Sequence, residues 1–261
     1  MLANKEDIFI EGYDVYSFDM KGKEKYDKII FNNGSGGEGN QTSDLNIDYQ
    51  TPYYMRNNWH KSLDERPYHN NHEYVNLGLP SGVLWATCNV GADSPEDYGE
   101  YFAWGETTTK STYSWENYKW CNGSNTTITK YCTSSTYGTV DNKTTLDIAD
   151  DAAYANWGGD WRMPTKAEQD ELRTECTWTL TTINGVNGYT VTGPNGNSIF
   201  LPAAGYYDSV LDTAGSCGFY LSSSLDTYYS TGAYVLYIYS DYVGYVENYR
   251  CYGHCVRPVI R

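Results

Sequence analysis

Tyrosine is the residue type of this 261-residue chain that most clearly could build a binding site, and it is concentrated near the C-terminus. Residues 206–261 contain twelve tyrosines but no Lys, Gln, Met or Trp, and Glu247 is their only Glu. A tyrosine side chain presents a rigid apolar ring with a hydroxyl tip at low entropic cost, and antibody paratopes combine it with Ser, Gly and Asn for that reason. The segment therefore predicts a binding surface, and the alternative is that the rings fill a core.

The residue types that are rare in this segment share a genetic property. No codon that ends in a pyrimidine encodes Lys, Gln, Glu, Met or Trp. A segment of ordinary composition would hold about ten such residues, whereas a segment diversified at pyrimidine-ending codons would lack them. The composition therefore also suggests a hypothesis about origin, namely that variation introduced into the DNA produced the tyrosines.

Cysteine and histidine offer a second candidate chemistry. Cys251 and Cys255 flank His254 closely enough to bridge or to share a metal. None of the seven cysteines belongs to a CxxC pair or to a Cys/His zinc pattern, so we interpret most of them as free, small hydrophobic residues. The other three histidines lie between residues 60 and 72, which leaves a Ser/His/Asp triad without a base.

Aspartates offer a third candidate chemistry, the binding of a metal ion. Asp147, Asp150 and Asp151 could hold a calcium ion, but acids at the start of a short helix more typically interact with its dipole. The Glu-Pro-Asn or Gln-Pro-Asp loop of calcium-dependent lectins is missing. We therefore expect no catalytic residue, no metal and no cofactor.

Charge narrows the partners. The net charge of −15 and the pI near 4.5 argue against nucleic acid and against anionic membranes. No apolar run is long enough to span a bilayer, and the first residues lack the apolar core of a secretory signal. The remaining expectation is a partner that is a protein or another macromolecule.

Patterning divides the chain into a small β segment at 1–52, a polar linker at 53–72 and one domain at 73–261. Within the domain, the Pro80-Ser-Gly82 turn predicts a hairpin over 74–90. The composition of residues 107–145 predicts a long surface loop region. Helices are predicted within 146–156 and over 166–175, the second with a capping box formed by Thr165 and Glu168. Strands are predicted at 188–192, 198–202, 218–223, 233–239 and 254–260. Two helices with many short antiparallel strands predict an α+β fold class.

Strand 233–239 also predicts which residues face the solvent. Leu236 and Ile238 are expected in the core with Tyr234 on their side, whereas Val235, Tyr237 and Tyr239 are expected on the exposed side. The motif tryptophans Trp85, Trp104, Trp157 and Trp161 are expected to build the core.

Two resemblances add to this picture. The segments KIIFNNG at 28–34 and QTSDL at 41–45 resemble the C-terminal half of a bacterial starch-binding module. The rest of the chain resembles the major paralogous domain of gut-type bacteria, which has a C-type-lectin-like fold related to formylglycine-generating enzymes. The motifs that carry the second resemblance are VNLGLPSG at 75–82, LWATCNVGA at 84–92, YGEYFAWGET at 98–107, NWGGDWRMPT at 156–165, and SSS at 222–224 with VRPV at 256–259. Leu221 departs from that family, which usually has an aromatic residue there.

Members of this fold also serve as variable proteins of diversity-generating retroelements, in which a fixed scaffold carries exposed positions that change the partner. The resemblance implies scaffold roles for Gly205, Ser222, Ser223, Ser224, Ala233, Arg250, Gly253, Val256, Arg257 and Pro258. It implies variable, ligand-binding roles for Tyr207, Asp208, Tyr220, Asp226, Tyr228, Tyr229, Val235, Tyr237, Tyr239, Tyr242, Tyr245, Tyr249, Cys251, Tyr252, His254 and Cys255.

The function expected from these observations is recognition or adhesion through a Tyr-rich face, at the cell surface or outside the cell, in a bacterial or phage protein. Three alternatives stay open: a fixed, non-diversified paralogue, a carbohydrate-binding surface protein with exposed aromatic platforms, and an oxidase that uses Cys251 and Cys255 as related enzymes use a cysteine pair.

Overall fold

The computed structural model describes residues 68–261, and within residues 1–67 it describes only the backbone of six short strands. The chain forms two compact units, Met1–Pro67 and Tyr68–Arg261. The six strands of the first unit pair antiparallel as β1 with β2, β3 with β4 and β5 with β6. Their bounds are β1 Asn4–Lys5, β2 Tyr16–Ser17, β3 Lys28–Ile29, β4 Leu45–Asn46, β5 Tyr53–Met55 and β6 Asn58–His60. Otherwise the predicted starch-module-like segment, and the predicted linker up to residue 67, lie outside the described residues.

A four-stranded antiparallel sheet joins the start and the end of the second unit. Its order is β18 (Val259–Ile260), β9 (Leu84–Ala86), β8 (His72–Asn76) and β7 (Tyr68–His69). The predicted hairpin is confirmed, since Tyr74 pairs with Ala86 and the Gly82 N–H donates to the Leu79 carbonyl at 2.9 Å. Gly82 has a φ of +74°, which an L side chain rarely adopts, so the turn favours glycine at this position.

Both predicted helices are present. A 3₁₀ turn at Ile148–Asp150 leads into α1 (Ala152–Trp157), and α2 spans Lys166–Glu175. The Thr165 and Glu168 capping box is confirmed, and the Glu168 carboxylate also pairs with the Arg162 guanidinium at 2.5 Å. Among the described residues, neither helix has the length and apolar content that crossing a bilayer requires, as the sequence predicted.

Three further antiparallel sheets follow α2. Strands β10 (Thr177–Ile183), β11 (Val186–Thr192) and β12 (Ser198–Pro202) form the first. Strands β13 (Tyr206–Tyr207) and β14 (Leu211–Asp212) form a small ribbon. Strands β15 (Cys217–Leu225), β16 (Gly232–Tyr239) and β17 (Tyr242–Tyr249) form the third, with β16 in the middle.

The expected α+β fold class is wrong, because the described structure is mostly β. Its two α-helices have only 6 and 10 residues. The sequence missed β10, β13, β14 and β17, and it predicted a linker where β5, β6 and β7 lie. Strand β10 carries mostly exposed side chains and so lacks an apolar alternation, while Gly244 and Glu247 interrupt that of β17. At the C-terminus, only Val259–Ile260 of the predicted 254–260 strand is regular.

The core lies on both sides of the β15–β16–β17 sheet. The four motif tryptophans are buried as predicted. One apolar cluster contains Trp104, Trp161 and Val235, and another contains Trp85, Leu236 and Ile238. Because both faces of the sheet contribute to a core, alternation along β16 alone does not decide which side chains reach solvent.

The loop region 107–145 has no regular element beyond the 3₁₀ turn at Trp115–Asn117, as expected, but it is not simply a surface loop. Tyr118 and Tyr131 from this region are buried, and the buried Arg250 guanidinium lies between them. Arg250 donates to the Tyr118 hydroxyl at 2.7 Å and to three carbonyls, those of Tyr131, Ser230 and Lys130, at 2.7, 3.0 and 2.9 Å. One side chain therefore attaches the loop region to the end of β17.

Candidate functional site

One face of the β15–β16–β17 sheet is directed at α2. Tyr245 on this face donates its hydroxyl to the Lys166 carbonyl at 3.0 Å, and the Lys166 ammonium lies 4.5 Å from the centre of the Tyr245 ring. Tyr234 lies beside Tyr245, with 6.3 Å between ring centres. These two tyrosines support the helix, so we correct the prediction that Tyr245 belongs to a ligand-binding face.

The opposite face changes from core to surface along the strands. Val235 is fully buried and pairs with Leu221 of β15 and Val246 of β17. Two residues further along β16, Tyr237 is partly exposed, and Tyr239 at the end of the strand is 48% exposed. The prediction of an exposed Val235 is therefore wrong, whereas Tyr237 and Tyr239 reach the surface as expected.

From this point a continuous series of aromatic rings crosses the surface; we name it the aromatic row. Consecutive ring centres lie 4.9–6.3 Å apart, within the range of favourable aromatic contacts. Phe219 is buried and the other seven rings are partly or largely exposed. In spatial order the row consists of Tyr239 and Tyr242, which both contact Tyr237, then Phe219, Tyr206, Tyr252, Tyr249 and Trp115.

Several elements position the aromatic row. The two-residue turn of the β16–β17 hairpin places Tyr239 opposite Tyr242, and β13 supplies Tyr206 beside Phe219 of β15. Trp115 comes from the loop region that Arg250 holds in place. The row therefore combines residues that are up to 137 positions apart in the sequence, 115 and 252.

Two phenols of the row, Tyr206 and Tyr237, have raised pKa values and keep their protons at neutral pH. Burial, together with Asp212 as hydrogen-bond acceptor, raises the pKa of Tyr206 above its usual value. Burial and the neighbouring Cys217 thiol raise the pKa of Tyr237 to about 12. Each phenol can thus both donate and accept a hydrogen bond, which suits a surface that binds polar and apolar groups together.

Six of the residues expected to vary on the surface are buried. Tyr220 is enclosed and donates its hydroxyl to the Pro202 carbonyl at 2.5 Å, and Asp226 accepts the Tyr228 N–H at 2.8 Å from within the β15–β16 turn. The predictions of surface roles are wrong for these residues because neighbouring strands and loops cover them. The six are Tyr220, Asp226, Val235, Cys251, His254 and Cys255.

The other predicted residues divide between the row and its surroundings. Tyr207 packs against Tyr101 and Tyr113, with ring centres 5.4 and 6.0 Å away, and Asp208 follows it in the chain beside Tyr252. Tyr228 and Tyr229 are 80% and 53% exposed in the β15–β16 turn and make no ring contact with the row in the described part of the chain. The row residues that the prediction missed are Tyr206, Phe219 and Trp115.

The three aspartates considered for calcium lie at the 3₁₀ turn before α1 and at its start. Asp147 pairs with Lys130 and Lys143, Asp150 pairs with Lys119 and Lys130, and Asp151 caps α1 by accepting the Tyr154 N–H at 3.0 Å. Lysine ammonium groups thus neutralise Asp147 and Asp150, and backbone N–H groups of Tyr154 and Met163 occupy Asp151. Within residues 68–261, no group of three or more His, Cys, Asp or Glu side chains is arranged to hold a metal.

No family model, curated protein or solved structure matches this chain. The resemblance of its motifs to lectin-like variable proteins therefore stays a prediction.

His254 makes the region under the aromatic row sensitive to acid. Its buried imidazole lies 6.1 Å from the Tyr206 ring centre and 6.0 Å from that of Phe219, and Nε2 has no hydrogen-bond partner within the described structure. Desolvation lowers the pKa of His254 to about 3, below its value of 6.5 in an unfolded chain. Between these pH values the unfolded chain binds a proton that the folded chain does not, so stability falls as the pH falls.

We therefore expect the free energy of unfolding to decrease by about 1 kcal/mol for each pH unit between pH 6 and pH 4 through His254 alone. Urea denaturation at several pH values, comparing the unaltered chain with His254→Phe, measures this contribution. The variant keeps a ring in place but binds no proton, so its stability should depend less on pH in this window. Equal pH dependence of the two proteins would contradict the role given to His254.

Proposed function

We propose that this chain is a recognition protein that binds a protein or another macromolecular partner through the aromatic row. The observation that carries the proposal is the row itself, a series of eight rings in mutual contact, seven of which are partly or largely exposed. Large exposed aromatic patches on folded proteins mark interaction sites more often than they occur without function. Tyrosine and tryptophan are also the residues that most often dominate binding energy at interfaces.

The geometry favours binding without large rearrangement. Each ring of the row is held by the next, and Tyr206 is also fixed by its hydrogen bond to Asp212 at 3.2 Å. Side chains that are already ordered lose little conformational entropy when a partner binds. The row therefore provides rigid anchors rather than flexible side chains that a partner would have to order.

The orientation of the rings in the aromatic row favours a partner with an irregular surface over a flat sugar chain. A platform for stacking a polysaccharide needs coplanar exposed rings, and Tyr237 with Tyr239 comes near this at 18° between planes. Further along the row, however, the Tyr249 ring is turned by 79° from Tyr252 and by 73° from Trp115. Such a surface of edges and faces fits the irregular contour of a protein better than a planar glycan.

The oxidase alternative requires two reactive thiols. Cys251 and Cys255 are fully buried and belong to different apolar clusters. Burial raises the pKa of each thiol to about 12, which disfavours the reactive thiolate. This placement supports a structural role for both cysteines and favours the binding function.

A finer proposal is that the row is a diversified face on a fixed scaffold, displayed at a cell or phage surface. It is supported by the tyrosine-rich composition and by the motif resemblance. The residues to which the resemblance gives scaffold roles are all buried except the partly exposed Ser224. The face that could vary without disturbing the core is thereby reduced to the exposed residues of the row and its surroundings.

Selection from a random peptide library tests the proposed function and needs no identified partner. Twelve-residue peptides displayed on phage would be selected on the immobilised full chain, and independent clones would then compete with each other as synthetic peptides. If the row is the recognition surface, most clones should share one site and exclude one another. Clones that bind independently at scattered sites would contradict the proposal.

A further inference from the structure

The positive charges of the second unit are almost all compensated. Residues 68–261 contain ten Lys and Arg residues. Seven of them pair with carboxylates within the same unit, and Arg250 and Arg257 are buried. The paired residues are Lys110, Lys119, Lys130, Lys143, Arg162, Lys166 and Arg173. Among the described residues, this leaves Arg261 as the one Lys or Arg that is neither buried nor in an ion pair.

The carboxylates around the aromatic row, in contrast, are not paired with Lys or Arg. Asp208 and Asp212 lie close enough to Tyr206 to help raise its pKa, and Asp241 lies in the turn between Tyr239 and Tyr242. No Lys or Arg of the described structure pairs with any of the three. Hydrogen bonds from the N–H groups of Val210 and Ser209 lower the pKa of Asp208 below its usual value, so the carboxylate is charged at neutral pH.

The sequence around the row also lacks positive residues that could neutralise these carboxylates. From Tyr206 to Tyr249 the chain has no Lys, Arg or His at all, and His254 is buried and neutral. The row therefore combines the negative faces of aromatic rings with uncompensated carboxylates, and both attract cations. An ammonium or guanidinium group over a Tyr or Trp ring gains attraction from the ring quadrupole, and nearby carboxylates add Coulomb energy and guide the approach.

We propose that the partner of the aromatic row is a Lys- and Arg-rich segment of a protein, whose cationic side chains lie over the tyrosine rings with their charges next to Asp208, Asp212 and Asp241. This inference rests on the proposed binding function and specifies the chemistry of the partner. A neutral or acidic protein surface would leave the three carboxylates without a cationic partner, and an anionic glycan or nucleic acid would be repelled by them.

The peptides selected on the full chain test this proposal through their composition and through charge variants. Lys and Arg should be enriched in the row-binding clones relative to the unselected library. For a synthetic peptide from these clones, the dissociation constant should increase about tenfold in 50 mM salt when Asp208→Asn, Asp212→Asn and Asp241→Asn are combined, because three exposed ion pairs are lost. Fluorescence anisotropy with the labelled peptide measures the change.

A distal triple variant, Asp93→Asn with Asp160→Asn and Glu175→Gln, changes the net charge equally at exposed sites outside the strands that carry the row. It should change the dissociation constant less than twofold, and the difference between the two triples should diminish in 0.5 M salt as screening increases. Equal effects of both triples would overturn the proposal, because they would show attraction to net charge only. If the variant with all three row aspartates replaced folds poorly, Asp241→Asn alone provides the same comparison of dissociation constants, because Asp241 lies in an exposed turn.

The composition of the clones separates the two claims. Peptides that share the row but lack Lys and Arg would overturn the cationic partner and leave the binding function intact. Peptides that do not use the row would overturn both.

Discussion

Replacing Arg250 with Met is expected to lower the free energy of unfolding of the second unit by about 4 kcal/mol, the usual range for breaking a buried charged network. The Arg250 guanidinium donates four hydrogen bonds at 2.7–3.0 Å and lies 4.9 Å from the Trp104 ring. Methionine fills much of the volume but leaves the Tyr118 hydroxyl, two buried carbonyls and one part-buried carbonyl without their donor. Urea denaturation followed by near-ultraviolet circular dichroism measures the loss.

Two further variants make this prediction specific. Arg250→Lys keeps the charge but cannot reproduce the planar fork, so about half of the loss should remain. Lys143→Met removes an exposed i,i+4 pair with Asp147 and should cost about 0.5 kcal/mol or less. A loss below about 1 kcal/mol for Arg250→Met would contradict the view that this side chain holds the loop region to the sheet.

The Arg250 network also affects the binding surface. Arg250 directly follows Tyr249, and its partner Tyr118 contacts Trp115 with 5.6 Å between ring centres. The position of Tyr249 and Trp115, at one end of the aromatic row, thus depends on Arg250. This residue is buried and out of reach of a binding partner. Stability and recognition are therefore coupled at this end of the row.

Removing two exposed tyrosines of the row should weaken binding strongly. Tyr242→Ser combined with Tyr249→Ser, which we name the row variant, should raise the dissociation constant of a selected peptide about 100-fold, since anchors of this kind often contribute more than 1 kcal/mol each. Both side chains are about half exposed, 51% and 46%, so the fold should tolerate their loss. Isothermal titration calorimetry gives the affinity, and a thermal melt of the row variant confirms that it is folded.

Local signals explain why much of the fold could be predicted. The capping box at Thr165 and Glu168 fixes the start of α2, and the turn at Gly82 fixes the first hairpin. Strand β12 also has the predicted bounds, because its apolar run is short and flanked by turn residues. At the cap and at the turn, a few adjacent residues satisfy backbone groups whatever the rest of the chain does, whereas β12 was predicted from its apolar run and pairs with β11.

The surface could be predicted only in part, because exposure depends on distant residues. Val235 and Tyr237 share a face of β16, yet one packs against Leu221 and Val246 and the other reaches solvent. Tyr220 is enclosed by strands that the sequence does not place beside it. The fold class failed for the same reason, since β10 and β17 are strands by virtue of their pairing with β11 and β16 and not of any apolar alternation.

The membership of the aromatic row shows the same limit. Tyrosine abundance indicated the segment, but Trp115 lies outside it and Phe219 looks like an ordinary core residue. Conversely, Tyr228 and Tyr229 look like binding residues and are well exposed, although the row does not include them. Composition thus predicted the kind of surface, whereas its extent required the three-dimensional structure.

The comparison of two matched tyrosine variants tests the central claim most directly. The loop variant, Tyr228→Ser with Tyr229→Ser, removes the same number of exposed rings as the row variant, from the β15–β16 turn. For independently selected peptides, we expect the affinity to fall about 100-fold in the row variant and less than threefold in the loop variant. Equal losses in the two variants, or a greater loss in the loop variant, would contradict the assignment of recognition to the aromatic row.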